Sequence, residues 1–201
     1  MEKLKSDFGD RVTVHETSVF PFEDENLSEV ITRIAPCESW VEDESVKVII
    51  PLSPLKEHRM LNIFLHQFVE QGGLFTCGRP ELYLLVSYYQ AGTIAADYRA
   101  KNYRSYRSRS VLFQALFETE FLEKIPWEEL TPLIPRKKIK SKSDDFFQDY
   151  DNSFLIRLTP KKHLPLMIPI ESLPEFHFFV TQSMVRRTNY LIPYFEYVTN
   201  D

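Results

Sequence analysis

Three short apolar segments constrain this chain more than anything else in it. Residues 11–20 (Arg-Val-Thr-Val-His-Glu-Thr-Ser-Val-Phe), 46–52 (Val-Lys-Val-Ile-Ile-Pro-Leu) and 81–87 (Glu-Leu-Tyr-Leu-Leu-Val-Ser) are rich in β-branched and aliphatic residues, the composition of strands. Helical spacing follows the last two. Strands alternating with helices predict an open α/β sheet with parallel strands. Such sheets place a glycine-rich turn for a nucleotide cofactor in their front half, and none of the five glycines here makes that pattern. The expectation is the back half of an open α/β fold, with the front half and its cofactor motif absent.

The remaining elements follow from local signals. Ser28 is placed to cap a short helix through Ile34. Residues 46–50, apolar on both faces except Lys47, predict a buried parallel strand. Leu61, Phe64, Leu65 and Phe68 predict a helix over 57–71, stopped by Gly72-Gly73. A weaker helix is expected near 89–98 and another over 108–118. Strands are expected at 120–125 and 154–158, with a long polar loop over 131–153 between them. Four prolines make 160–174 an extended connection. A last helix is expected from 172 or 173 to 187, with Pro174 in its first turn.

Catalytic patterns are missing. No zinc-protease helix or serine-nucleophile elbow occurs, and no histidine pair has metal-ligand spacing with a cysteine partner. His66 reads as a half-buried residue beside an apolar helix face. Cys37 and Cys77 are too few for a disulfide scaffold and read as free thiols. No apolar run approaches the roughly 20 residues of a membrane span. The first ten residues have neither the apolar stretch of a signal peptide nor the basic character of a transit peptide.

The charge distribution is more informative than the net charge of −5. Residues 1–45 hold 4 Lys and Arg against 12 acidic residues, a balance of −8, whereas residues 99–142 hold 11 Lys and Arg against 5 Glu, a balance of +6. A split of this kind suits a surface built for a polyanion. In one basic stretch Arg99, Lys101, Arg104, Arg107 and Arg109 interleave with Tyr98, Tyr103 and Tyr106. Cations neutralise phosphates and tyrosine rings stack on unpaired bases. A second stretch, Arg136, Lys137, Lys138, Lys140 and Lys142, adds five cations in seven residues. Both are candidate nucleic-acid contacts, with Tyr103 and Tyr106 as stacking rings.

The order of these segments resembles the ribosomal RNA adenine dimethyltransferases and their offshoot, the mitochondrial transcription factor B proteins. Val46 to Pro54 looks like the strand that ends in that family's Asn-Leu-Pro-Tyr motif. Gly78 to Val86 looks like the next strand. Tyr106 to Ala115, containing Ser110-Val111-Leu112-Phe113-Gln114, looks like the family's Ser-Val-Leu-x-Gln helix, and Ile125-Pro126-Trp127 looks like a factor-B-like Pro-Trp turn. Phe154 to Pro160 resembles the last strand. The resemblance implies a Rossmann-like methyltransferase fold over 1–160, lacking its front half, and a small helical region over 161–201.

The departures bear on activity. By the resemblance, the Asn-Leu-Pro-Tyr motif grips and stacks on a target adenine. Here Pro51, Leu52, Ser53 and Pro54 stand in its place, without a side-chain amide or an aromatic face. Thr17 stands where the family has an acidic residue near the cofactor. The resemblance then implies no catalytic set, no bound cofactor and no methyl transfer. It implies instead a transcription initiation factor in the mitochondrial matrix. Such a factor's partners are promoter DNA, especially a melted strand, and a single-subunit mitochondrial RNA polymerase, with RNA as a further candidate and no membrane. The alternative is a ribosomal RNA adenine N6-dimethyltransferase, or a fragment of one, using S-adenosylmethionine. A third reading is a fold remnant that binds only protein.

Overall fold

The computed structural model describes residues 46–52, 56–96, 106–130 and 152–184. Several expectations lie outside them: the strand over 11–20 with Thr17, the helix over 28–34, Ser53 and Pro54, residues 98–105, nearly all of the 131–153 loop, and the chain beyond 184.

Four strands form one mixed sheet in the order β1-β2-β4-β3. β1 (Lys47–Pro51) runs parallel to β2 (Glu81–Ser87), with Lys47 opposite Glu81 and Pro51 opposite Leu85. β4 (Asn152–Pro160) is antiparallel to both β2 and β3 (Phe117–Pro126). A bulge between Phe121 and Glu123 lets the longer β3, with 10 residues, stay paired with the 9 of β4. The fold is mixed α/β, consistent with a Rossmann-like methyltransferase fold. Among the described residues, no helix is long and apolar enough to cross a membrane.

Helix α1 (Glu57–Val69) connects β1 to β2, as a parallel pair requires. Met60, Leu61, Phe64, Leu65 and Phe68 fall on its inner face and are buried. Its termination differs from the expectation of a glycine stop. The Gln71 amide donates to the Phe68 carbonyl at 3.2 Å and the Gly72 amide to the Gln67 carbonyl at 2.8 Å. This pair of bonds puts Gln71, at φ 51°, in the left-handed position that glycine usually fills. The Gln71 carboxamide bonds back to the Phe68 carbonyl at 2.6 Å. Gly73, at φ 56°, opens a 3₁₀ turn, Gly73–Cys77.

Helix α2 (Tyr88–Ala95) follows β2 without a loop, and α3 (Ser108–Leu116) leads directly into β3. A single turn, α4 (Trp127–Leu130), closes β3. The proline-rich segment after β4 is not the extended connection expected. It forms a turn of helix, α5 (Leu164–Met167), then a 3₁₀ turn (Ile170–Ser172) and helix α6 (Leu173–Ser183). Pro165 and Pro174 lie in the first turns of α5 and α6, where a fixed φ suits a helix and the missing N–H has no partner to lose.

One face of the sheet carries the core. Leu82, Leu84, Val86, Ile156 and Leu158 meet α1, α2 and α3, and Leu164, Leu173 and Val180 join the same cluster. Phe68 and Phe75 pack edge to face at 5.0 Å between ring centroids, and Phe68 lies 4.8 Å from Phe117. Such pairs add about 0.5–1.5 kcal/mol each beyond their buried area. β1 is not buried on both faces. Val48 and Ile50 pack on the core, whereas Lys47, Ile49 and Pro51 point to the opposite face, leaving Ile49 77% exposed. On that opposite face Lys47 pairs with Glu81 at 3.3 Å, and Arg157 pairs with Glu81 and Glu120.

Candidate functional site

Open α/β sheets bind ligands beyond the carboxyl ends of their parallel strands. Here that edge is built by the end of β1, the start of α1 and the β2–α2 junction. At the end of β1 the Leu52 amide extends the ladder by donating to the Leu85 carbonyl at 3.1 Å, and the Leu52 side chain is buried. Pro51 has no polar side-chain atom. Pro51 therefore offers no side-chain group to grip an exocyclic amine, whereas Leu52 matches the leucine of the motif that the sequence resembles.

One turn further, Glu57 is 2% exposed and turns inward. Its carboxylate accepts the Ser87 amide at 2.7 Å and the Ser87 hydroxyl at 2.5 Å. A buried carboxylate costs several kcal/mol unless such donors meet it, so these bonds fix the start of α1 against the end of β2. Tyr88 follows, buried, with its ring 6.4 Å from that of Phe154. Tyr89 points outward and is 65% exposed.

α3 is fastened to α2 by the residues that the resemblance singles out. The Ser110 hydroxyl donates to the Thr93 carbonyl at 2.7 Å, and the Gln114 carboxamide donates to the Ala96 carbonyl. This fastening presents Arg109 over the edge. Its guanidinium donates to Gln90 Oε1 at 2.9 Å and to His58 Nδ1 at 2.6 Å. A guanidinium only donates, so His58 accepts and is neutral. Burial, and then the Arg109 charge, hold the His58 pKa below its ordinary value. Burial also lowers the Arg109 pKa, opposed by the nearby Tyr89.

Of the expected nucleic-acid contacts, Tyr106, Arg107 and Arg109 are described. Tyr106 is half-buried, Arg107 is exposed at the start of α3, and Arg109 stands in the cluster above. Arg99, Lys101, Tyr103, Arg104, Arg136, Lys137, Lys138 and Lys140 lie outside the described residues. His66 is exposed rather than half-buried, 4.0 Å from Glu70 one helical turn on. Among the described residues no group of three His, Cys, Asp or Glu is placed to hold a metal ion. Sequence reasoning missed Glu57, His58, Ser87, Tyr89 and Gln90. The available signal was position, since Ser87 ends β2 and the other four follow the two parallel strands at the starts of α1 and α2.

Over 140 residues, 66% of this chain, the sequence is 33% identical to dimethyladenosine transferase 2, mitochondrial, of Drosophila melanogaster. This likeness supports the ribosomal RNA adenine dimethyltransferase family. The chain spans 30% of the length of that relative. No family model matches the chain. The mixed sheet, with its parallel β1–β2 pair, is consistent with a Rossmann-like methyltransferase fold, and the relative is by name a dimethyladenosine transferase.

Proposed function

We propose that this chain belongs to a mitochondrial transcription initiation factor with a degenerate methyltransferase fold, of the factor B type. It works in the mitochondrial matrix with a single-subunit RNA polymerase and assists promoter melting by holding the unpaired strand. The observation that carries this reading is the end of β1, where Pro51, which has no polar side-chain atom, stands at the place that the resemblance gives to the motif's asparagine. A transferase acting on adenine needs polar groups there; a factor that only binds nucleic acid does not. The basic and aromatic stretch around Tyr106, Arg107 and Arg109 supports a nucleic-acid partner. The mitochondrial relative supports the compartment.

The relative's printed name favours a second reading, a ribosomal RNA adenine N6-dimethyltransferase using S-adenosylmethionine. Two assays on one preparation separate them. In transcription with a single-subunit mitochondrial polymerase, the factor stimulates a closed promoter strongly and a premelted promoter little. With a small-subunit ribosomal RNA hairpin and labelled S-adenosylmethionine, no methyl group is incorporated. Methyl transfer to adenine, without stimulation on the closed promoter, would overturn the first reading in favour of the second.

A further inference from the structure

We propose that Tyr89, Arg109 and His58 form a site for one unpaired nucleotide, its base stacked on the Tyr89 ring and its phosphate on the Arg109 guanidinium. The inference rests on the nucleic-acid reading above and assigns it a place. Three observations carry it. First, Arg109 is held by neutral groups. Arg157, on the far face of the sheet, meets the carboxylates of Glu81 and Glu120, and its charge is compensated there. Arg109 instead donates to a carboxamide and an imidazole. Glu57, next to His58 in sequence, turns its carboxylate away into Ser87. The guanidinium is thus oriented and partly desolvated while its charge remains available for an anion.

Second, an exposed ring lies one residue from Gln90, the side chain that the guanidinium bonds. Tyr89 is 65% exposed, and its neighbour Tyr88 is buried against Phe154, so the backbone that carries the ring is anchored. An exposed aromatic beside an oriented cation is the pairing that single-strand binders use, with the stack on the base and the cation on the backbone. Third, the cluster lies beyond the carboxyl ends of β1 and β2, where open α/β sheets take their ligands. His58 and Gln90 act as positioning residues that aim the guanidinium.

The test uses the full 201-residue chain with a fluorescent oligothymidylate, an oligouridylate of equal length and a blunt DNA duplex. Tyr89→Ala should weaken single-strand binding by roughly 5- to 150-fold, the range that loss of one stacked base implies, and leave duplex binding within about twofold. Tyr89→Phe, which keeps the ring, should bind like the parent. Arg109→Gln should lower the slope of log affinity against log salt by roughly 0.7, and Arg109→Lys should restore it; thermal melts confirm that each variant is folded. The two single strands show which sugar the site takes. If the parent binds single strands and folded Tyr89→Ala binds them equally well, the site is refuted while the wider reading stands. Equal loss on strand and duplex also refutes it. If the parent binds neither strand, the nucleic-acid reading falls and the site falls with it.

Discussion

Replacing Ser87 by alanine should destabilise the fold by about 1.5–3 kcal/mol, the value of a hydrogen bond to a buried charge. Glu57 is 2% exposed, so water cannot readily replace the lost hydroxyl. The Ser87 amide would still donate to Glu57 Oε1, which keeps the cost below that of removing the carboxylate. Glu57→Ala orphans both the buried amide and the hydroxyl of Ser87 and leaves a small cavity, for about 2–5 kcal/mol. Glu57→Gln retains an oxygen for the amide and offers an N–H to the hydroxyl, losing only the charge assistance, about 1 kcal/mol. The expected order of damage is therefore Glu57→Ala, then Ser87→Ala, then Glu57→Gln. Urea unfolding followed by far-ultraviolet circular dichroism measures it, and a loss of about 2 kcal/mol corresponds to a melting shift of roughly 4–8 °C for a chain of this size. His58 is the next residue on α1, so Ser87→Ala should also loosen the His58–Arg109 contact and weaken single-strand binding. A Ser87→Ala variant within about 0.5 kcal/mol of the parent, or a Glu57→Gln as damaging as Glu57→Ala, would refute this account of the clamp.

Two other outcomes follow from the same structure. An ideal Cβ on Gly73, at φ 56°, would come within 2.4 Å of the buried Gln67 carboxamide, whereas one on Gly72 would meet nothing within 4 Å; Gly73→Ala should therefore cost about 1–3 kcal/mol and Gly72→Ala should stay within about 1 kcal/mol of the parent, read as urea midpoints. Stability should also fall on mild acidification. Burial, with the Arg109 charge for His58 and the His66 charge for His177, holds both folded-state pKa values below the ordinary 6.5. The unfolded chain thus takes up protons first, and the contribution present above 6.5 is lost as pH falls toward the folded values. Denaturation midpoints across this range should slope downward, and less steeply in His58→Gln.

Much of this architecture is legible in the residues. β2 ends where its apolar run ends. α1 follows from the spacing of Met60, Leu61, Phe64 and Phe68. Ser110 and Gln114 mark a helix that the structure fastens to α2. The errors have physical causes. β1 reads as buried because its residues are apolar, yet exposure depends on what covers the second face, and Ile49 remains 77% exposed. The prolines of 160–174 read as breakers because composition does not say which of them falls in a first turn. The left-handed stop of α1 falls on Gln71 rather than on the following glycine, because its own carboxamide bonds the last turn.

The candidate site was less legible, since it is assembled across the sequence. Arg109 stands out as one cation among many in a basic stretch. Its particular character comes from Gln90 and His58, 19 and 51 residues away, and no local pattern connects the three. Pro51 supplies no amine-gripping side chain, while the neighbouring junction holds a bonded carboxylate, an exposed aromatic ring and an oriented cation. The edge does not depend on a polar group at Pro51: the Glu57–Ser87 clamp and the α2–α3 fastening hold the segments that carry Tyr89 and Arg109. On the function proposed above, this edge lacks adenine chemistry and keeps a surface for an unpaired strand.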